Sequence, residues 1–129
     1  MNRKPEGFRR LWLLWTPVVA YMAVIFSVSS MAQAPLPAQM SDKVAHTLGY
    51  ALLGLLATRA VNDSAGTPMR AWHLLLALAI TVAYGMSDEF HQSFVPGRDA
   101  DIHDVYADAI GGLLGAAAWW ACDILRKPR

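Results

Sequence analysis

Charge is scarce in this chain, and long stretches do without it. Only 16% of the 129 residues are Asp, Glu, Lys or Arg, and Leu11–Ser41, Ala71–Ser87 and Ala109–Cys122 contain none. A helix on the surface of a water-soluble bundle needs a charged or polar stripe along its outer face, so these segments exclude a soluble bundle. A single cysteine, Cys122, excludes an internal disulfide. There is no internal repeat, no low-complexity tract and no basic patch of the kind that binds nucleic acid. No His-Glu-x-x-His spacing is present, which removes the commonest sequence sign of a catalytic zinc site.

What remains is apolar: 55% of the residues are hydrophobic. A bilayer core of about 30 Å takes roughly 20 apolar residues per helix. Four spans are expected, near residues 11–29, 44–61, 71–87 and 105–122. The fold class is therefore all-α, a small integral membrane bundle of four transmembrane helices, with residues 1–129 forming one domain. Pro17 is tolerable inside a lipid-embedded helix. Pro35 and Pro37 make 32–40 an extended loop, and 62–68 reads as a polar turn. The basic start, apolar run and Ala32-Gln33-Ala34 resemble a secretory signal, but the run is too long and Pro35 would follow the cut, so the segment reads as a retained span. Trp12, Trp15, Trp72, Trp119 and Trp120 fall near span ends, where indoles anchor to the interface.

The near-neutral total hides an asymmetry. Arg3, Lys4, Arg9, Arg10, Arg59, Arg70, Arg126, Lys127 and Arg129 share one end with Glu6, Asp63 and Asp123. The other end holds Lys43 and Arg98 against Asp42, Asp88, Glu89, Asp99, Asp101, Asp104 and Asp108. The excess of Lys and Arg on the cytoplasmic side of membrane proteins places both termini in the cytoplasm and the acidic end outward.

Two segments meet at that acidic end. Asp42, His46 and Tyr50 recur every four residues and share one helix stripe. Glu89 and Gln92 share a face if the third span runs that far. Pro96-Gly97 fits the centre of a type II turn, which would swing Arg98 back over the bundle as a partner for Asp104 or Asp108. Asp104, Asp108, Gly111 and Gly115 also lie on one face, and glycines so spaced let helices approach closely in lipid. Ser41 or Asp42 is expected to cap the second span, and Asp101 with Asp104 resembles a capping box. His73 and His103 read as polar surface. Asp108 and His46 sit a turn inside their spans, where an ionisable group is costly unless paired and marks a functional site.

The three segments, Asp42-Lys43-x-x-His46-x-x-x-Tyr50, Asp88-Glu89-x-x-Gln92-x-Phe94-x-Pro96-Gly97-Arg98 and Asp104-x-x-x-Asp108-x-x-Gly111, together resemble the VanZ-like family of small bacterial membrane proteins. The resemblance implies a multi-span membrane protein of the bacterial cell envelope, and the expected location is the cytoplasmic membrane. The family's founding member is associated with resistance to the glycopeptide teicoplanin. Many members carry Asn where this chain has Asp108, so the resemblance implies a hydrogen-bonding side chain there and not an obligatory carboxylate.

Three functions fit these residues. In the first, Lys43, Tyr50, Gln92, Arg98, Asp104 and Asp108 line an outward pocket for a polar lipid headgroup or a lipid-linked cell-wall intermediate, with Arg98 and Lys43 on phosphate. In the second, an enzyme acts on such a lipid, with His46 as base or nucleophile, Glu89 or Asp88 as its partner acid and Arg98 stabilising negative charge. The third is a proton-coupled transporter, which four spans would support only as a homo-oligomer and which needs polar groups at every depth. A metal on His46, Glu89, His91 and Asp104 is conceivable, but no metal or other cofactor is expected from the sequence.

Overall fold

The computed structural model describes residues 4–126; Arg3, Lys127 and Arg129 of the basic end, and the side chains of Lys4 and Glu6, lie outside it. Four helices follow one another: α1 (Lys4–Ser29), α2 (Asp42–Ala65), α3 (Ala71–Gln92) and α4 (Ile102–Arg126). Each has 22 to 26 residues, which at about 1.5 Å per residue is enough to cross a bilayer core. All four are also apolar enough to do so. The outward surface confirms the solvent they are built for, with Leu13, Val19, Leu75, Phe90 and Leu113 largely exposed.

The helices outrun the charge-free stretches at their polar ends. α1 already includes most of the expected lead-in and passes through Pro17 without a break. α2 continues through Asn62, Asp63 and Ser64 and stops at Gly66, whose φ of 62° is the left-handed helix-ending conformation, so the turn is shorter than 62–68. α3 runs on to Gln92, which puts Asp88, Glu89 and Gln92 on its last turns and not in a loop. Ser41 caps α2 by accepting the Val44 N–H at 3.3 Å.

α2 is the hub, packing on all three other helices, while among the described residues α1 makes no contact with α4. Its tightest partner is α4. A Cβ on Gly111 would run into the Thr47 carbonyl, one on Gly115 into the Ala51 carbonyl, and one on Gly54 into the Gly112 backbone. The two backbones thus meet with no side chain between them, which maximises dispersion contact where lipid offers no hydrophobic drive. α1 adds Leu14 and Val18 to a core around Tyr50 and Leu53. It is also tied at its edge by Tyr21 to the Gly49 carbonyl (3.0 Å), Tyr84 to the Met22 carbonyl (2.5 Å) and Trp15 to Ser64 (3.0 Å).

Trp12, Trp72 and Trp120 are well exposed near the terminal end, as interface residues should be. His73 is not surface, contrary to expectation. It is fully buried, accepts the Arg70 N–H on Nδ1 at 2.8 Å and stacks on Trp72, so its imidazole satisfies the start of α3, where no Ser or Asp is available. His103 is solvent-facing and leans on Asp101.

Candidate functional site

One end of the bundle gathers the end of α3 and the starts of α2 and α4. Asp88, Glu89, Gln92, Asp104 and Asp108 are all at least nine-tenths buried there. His46, one turn into α2, stands among three carboxylates: Nδ1 lies 2.8 Å from Asp108 Oδ1, and Nε2 lies 3.9 Å from both Asp42 and Asp104. The Asp42–His46–Tyr50 stripe holds, with the His46 and Tyr50 rings parallel and 6.3 Å apart. Tyr50 donates to Asp88 Oδ2 at 3.1 Å, and Gln92 donates to the same oxygen at 3.3 Å.

The ion pairs differ from those expected. Lys43, not Arg98, bridges to Asp104 and to Asp101, the latter at 2.6 Å. Lys43 opens α2, and the close α2–α4 seam sets its ammonium directly above the first turn of α4. His46, not Arg98, meets Asp108, because both stand one turn into facing helices. Arg98 makes no ion pair among the described residues, and its buried Nε has no partner. The Pro-Gly turn is as expected, with Gly97 at φ 84° and Arg98 N–H bonded to the Val95 carbonyl at 3.1 Å. The turn sets Gly97 beside Ala32, just past α1, and Arg98 lines a groove with residues of α1.

The capping box is also rearranged. Asp101 accepts the His103 N–H at 2.9 Å, as a cap should. The return bond to the Asp101 N–H comes from Glu89 across the bundle, at 3.0 Å, leaving Asp104 free for Lys43. The Lys43 ammonium, helped by the His103 N–H and ring, holds the Asp101 carboxyl well below the usual carboxylate range. A depressed acid stabilises the fold above its unfolded value and loses that contribution as pH falls through the folded one. The clasp between the loop before α4 and the start of α2 therefore survives mild acid.

A groove of about 170 Å³ lies between α1 and α2 beside this network. Its polar side is Asp42, His46, Tyr50, Asp88, Gln92 and Arg98; its apolar wall is Val24, Ile25 and Val28. Lys43, Glu89, Asp104 and Asp108 do not line it but stand behind His46. Neither acid expected as the partner of His46 pairs with it, since Glu89 accepts the Asp101 N–H and Asp88 accepts the Tyr50 hydroxyl; Asp108 makes the contact instead. His91 stacks on Phe26 and lies 3.0 Å from Ser30, apart from His46. Sequence reasoning missed the α1 wall, Ser29 beneath Gln92 (3.5 Å) and Gly85, where a Cβ would lie 2.7 Å from Asp108 Oδ2. The spacing of Gly85 four residues before Glu89 was its available signal.

Depth bears on the transport reading. Toward the terminal end, the core passes through Leu53, Ala57, Thr58, Ala77 and Thr81, and both threonine hydroxyls are spent on carbonyls of their own helices. Among the described residues this stretch has no ionisable side chain to relay a proton.

The arrangement pairs charges in a polar network behind an open, amphipathic groove. No curated protein and no solved structure matches the chain. The VanZ/LLP1 family model matches residues 4–125, from the first turn of α1 to the last of α4. A match of that extent takes in the scaffold as well as the three motif segments, and the chain belongs to the VanZ/LLP1 family.

Proposed function

We propose that the groove binds the polar headgroup of a membrane lipid, with phosphate on Arg98 and a hydroxyl or amine on Asp88. One observation carries this reading. Two buried atoms of opposite character on the groove's lining residues lack partners, Arg98 Nε and Asp88 Oδ1. Leaving such groups unmatched is costly, and a ligand that carries both an anionic and a donor group satisfies both. Guanidinium suits phosphate through its forked N–H groups. The apolar wall of α1, with Val24 54% exposed, offers an acyl chain a path from groove to lipid. The volume is below the roughly 300–1,000 Å³ of drug-sized pockets and of headgroup scale. Lys43, spent on Asp101 and Asp104, supports the site from behind and does not contact phosphate.

The distribution of Lys and Arg sets the rest of the reading: a bacterial cytoplasmic membrane, termini in the cytoplasm, groove toward the outer leaflet. A lipid-linked cell-wall intermediate presents the same phosphate chemistry there. An effect on teicoplanin susceptibility follows indirectly, through altered surface chemistry. Mass spectrometry of lipids retained by protein purified in mild detergent tests this. Wild type retains lipid, and Arg98→Ala loses about tenfold or more, the worth of charge-assisted hydrogen bonds. A glycerophospholipid or a polyprenyl-linked species in the wild-type spectrum separates the two sources. Equal retention by both proteins contradicts the proposal.

A second reading has one observation in its favour. Asp108 orients His46 through Nδ1 and leaves Nε2 without a hydrogen bond, the arrangement of a carboxylate-held general base. Conversion of a retained lipid by wild type and not by His46→Gln supports an enzyme; retention of unchanged lipid by both supports binding alone.

A further inference from the structure

Charge does not balance behind the groove. Four carboxylates, Asp88, Glu89, Asp104 and Asp108, are at least nine-tenths buried. Asp104 has Lys43, which it shares with Asp101. Asp88 has only the neutral donors Tyr50 and Gln92. Glu89 has one backbone N–H for Oε2 and nothing for Oε1, and Asp108 has His46 for Oδ1 and nothing for Oδ2. Even a fully charged His46 leaves negative charge uncompensated in a place where burial makes it expensive.

From this we propose that His46, Glu89 and Asp108 hold a divalent transition-metal ion, Zn²⁺ or Mn²⁺. One donor atom from each lies within 4.8 Å of the other two. His46 Nδ1 and Asp108 Oδ1 are 2.8 Å apart and need open by only about 0.6 Å to become neighbouring ligands of a tetrahedral ion with bonds of about 2.1 Å. The ion takes the place of the proton between them, and Glu89, with its unpartnered oxygen, completes the trio. One imidazole with two carboxylates favours Zn²⁺ or Mn²⁺ over the all-oxygen shells of Mg²⁺ and Ca²⁺. Asp42, His46 and Asp104 form a second close trio, but Asp42 is half exposed and the Lys43 ammonium on Asp104 repels a cation. The inference can be tested apart from the lipid reading, because the three ligands are His46, Glu89 and Asp108 and include neither Arg98 nor Asp88.

The test uses the full chain in detergent micelles, stripped with chelator and carrying no polyhistidine tag. Metal content and thermal stability are measured on adding Zn²⁺, Mn²⁺ or Mg²⁺ alone. Wild type takes up about one Zn²⁺ or Mn²⁺ per chain and gains thermal stability, Mg²⁺ does neither, and EDTA reverses the gain. Glu89→Gln, nearly isosteric, weakens uptake by about 100-fold and abolishes the gain. Should that variant fail to fold, Asp108→Asn, which retains a hydrogen-bond acceptor for His46, gives the same readout. Asp42→Asn binds as wild type does. No uptake by wild type, or undiminished uptake by whichever variant folds, overturns the proposal, as does a loss in Asp42→Asn equal to that in Glu89→Gln.

Discussion

Gly115→Ala costs the folded bundle about 3 kcal/mol, the upper end for overpacking, although the change adds one methyl group. The new Cβ falls on the Ala51 carbonyl oxygen and lies 2.6 Å from the Leu55 nitrogen and 2.8 Å from the Ala51 carbonyl carbon. These are backbone atoms in the middle of α2, so no side chain can swing aside. The helices must separate. Separation is felt at the site, because Asp104, Asp108, Gly111 and Gly115 share the face that meets α2. Both Lys43–Asp104 and His46–Asp108 lengthen with it. Gly49→Ala is the control, since its Cβ would find only the Tyr21 hydroxyl, at 3.8 Å. Reversible unfolding in micelles should place that variant within about 1 kcal/mol of wild type, the difference in helix propensity. Equal effects at the two glycines would mean that the α2–α4 seam is looser than described.

His46→Ala is expected to destabilise by about 3–5 kcal/mol, the cost of removing one partner of a buried pair. Asp108 is fully buried, and without the imidazole Oδ1 loses its only hydrogen-bond partner. Asp108→Asn costs far less, because the amide oxygen still accepts from Nδ1–H at the same place. Replacing both residues by leucine should recover most of the loss, since a buried pair is often no better than an apolar one of similar volume. The same unfolding assay checks all three. If His46→Ala and Asp108→Asn cost the same, the pair is not what holds α2 against α4 at this end.

Much of the bundle was legible because lipid imposes a coarse rule: a span cannot carry unpaired charge. Charge-free runs therefore marked three of the helices, the apolar stretch from 44 to 61 with Arg59 near its end marked the other, and the face carrying Asp104, Asp108, Gly111 and Gly115 marked which side of α4 turns inward. Helix ends were harder. Asn62–Ser64 and Asp88–Gln92 look like loop by composition, yet they are helical because polar groups are paired or solvated at the ends of the bundle. Pairing was hardest of all. Whether Asp108 meets Arg98 or His46 depends on the relative height of α2 and α4, and that is set by glycine contacts between backbones, which no periodicity reveals. His73 misled for a related reason: a buried imidazole used as a cap has no pattern to distinguish it from a surface one. The apolar wall of the groove was invisible because α1 reads as uniform lipid-facing sequence.

The central claim is that a single groove matches both ends of a headgroup, the anion through Arg98 and the donor through Asp88. Native mass spectrometry of the protein with phosphatidylethanolamine in competition with phosphatidylcholine, which carries the phosphate but no donor group, measures this most directly. Wild type should retain the ethanolamine lipid in preference, Asp88→Asn should lose the preference while still binding, and Arg98→Ala should release both. Equal retention of the two lipids by wild type, or a preference unchanged in Asp88→Asn, would contradict it.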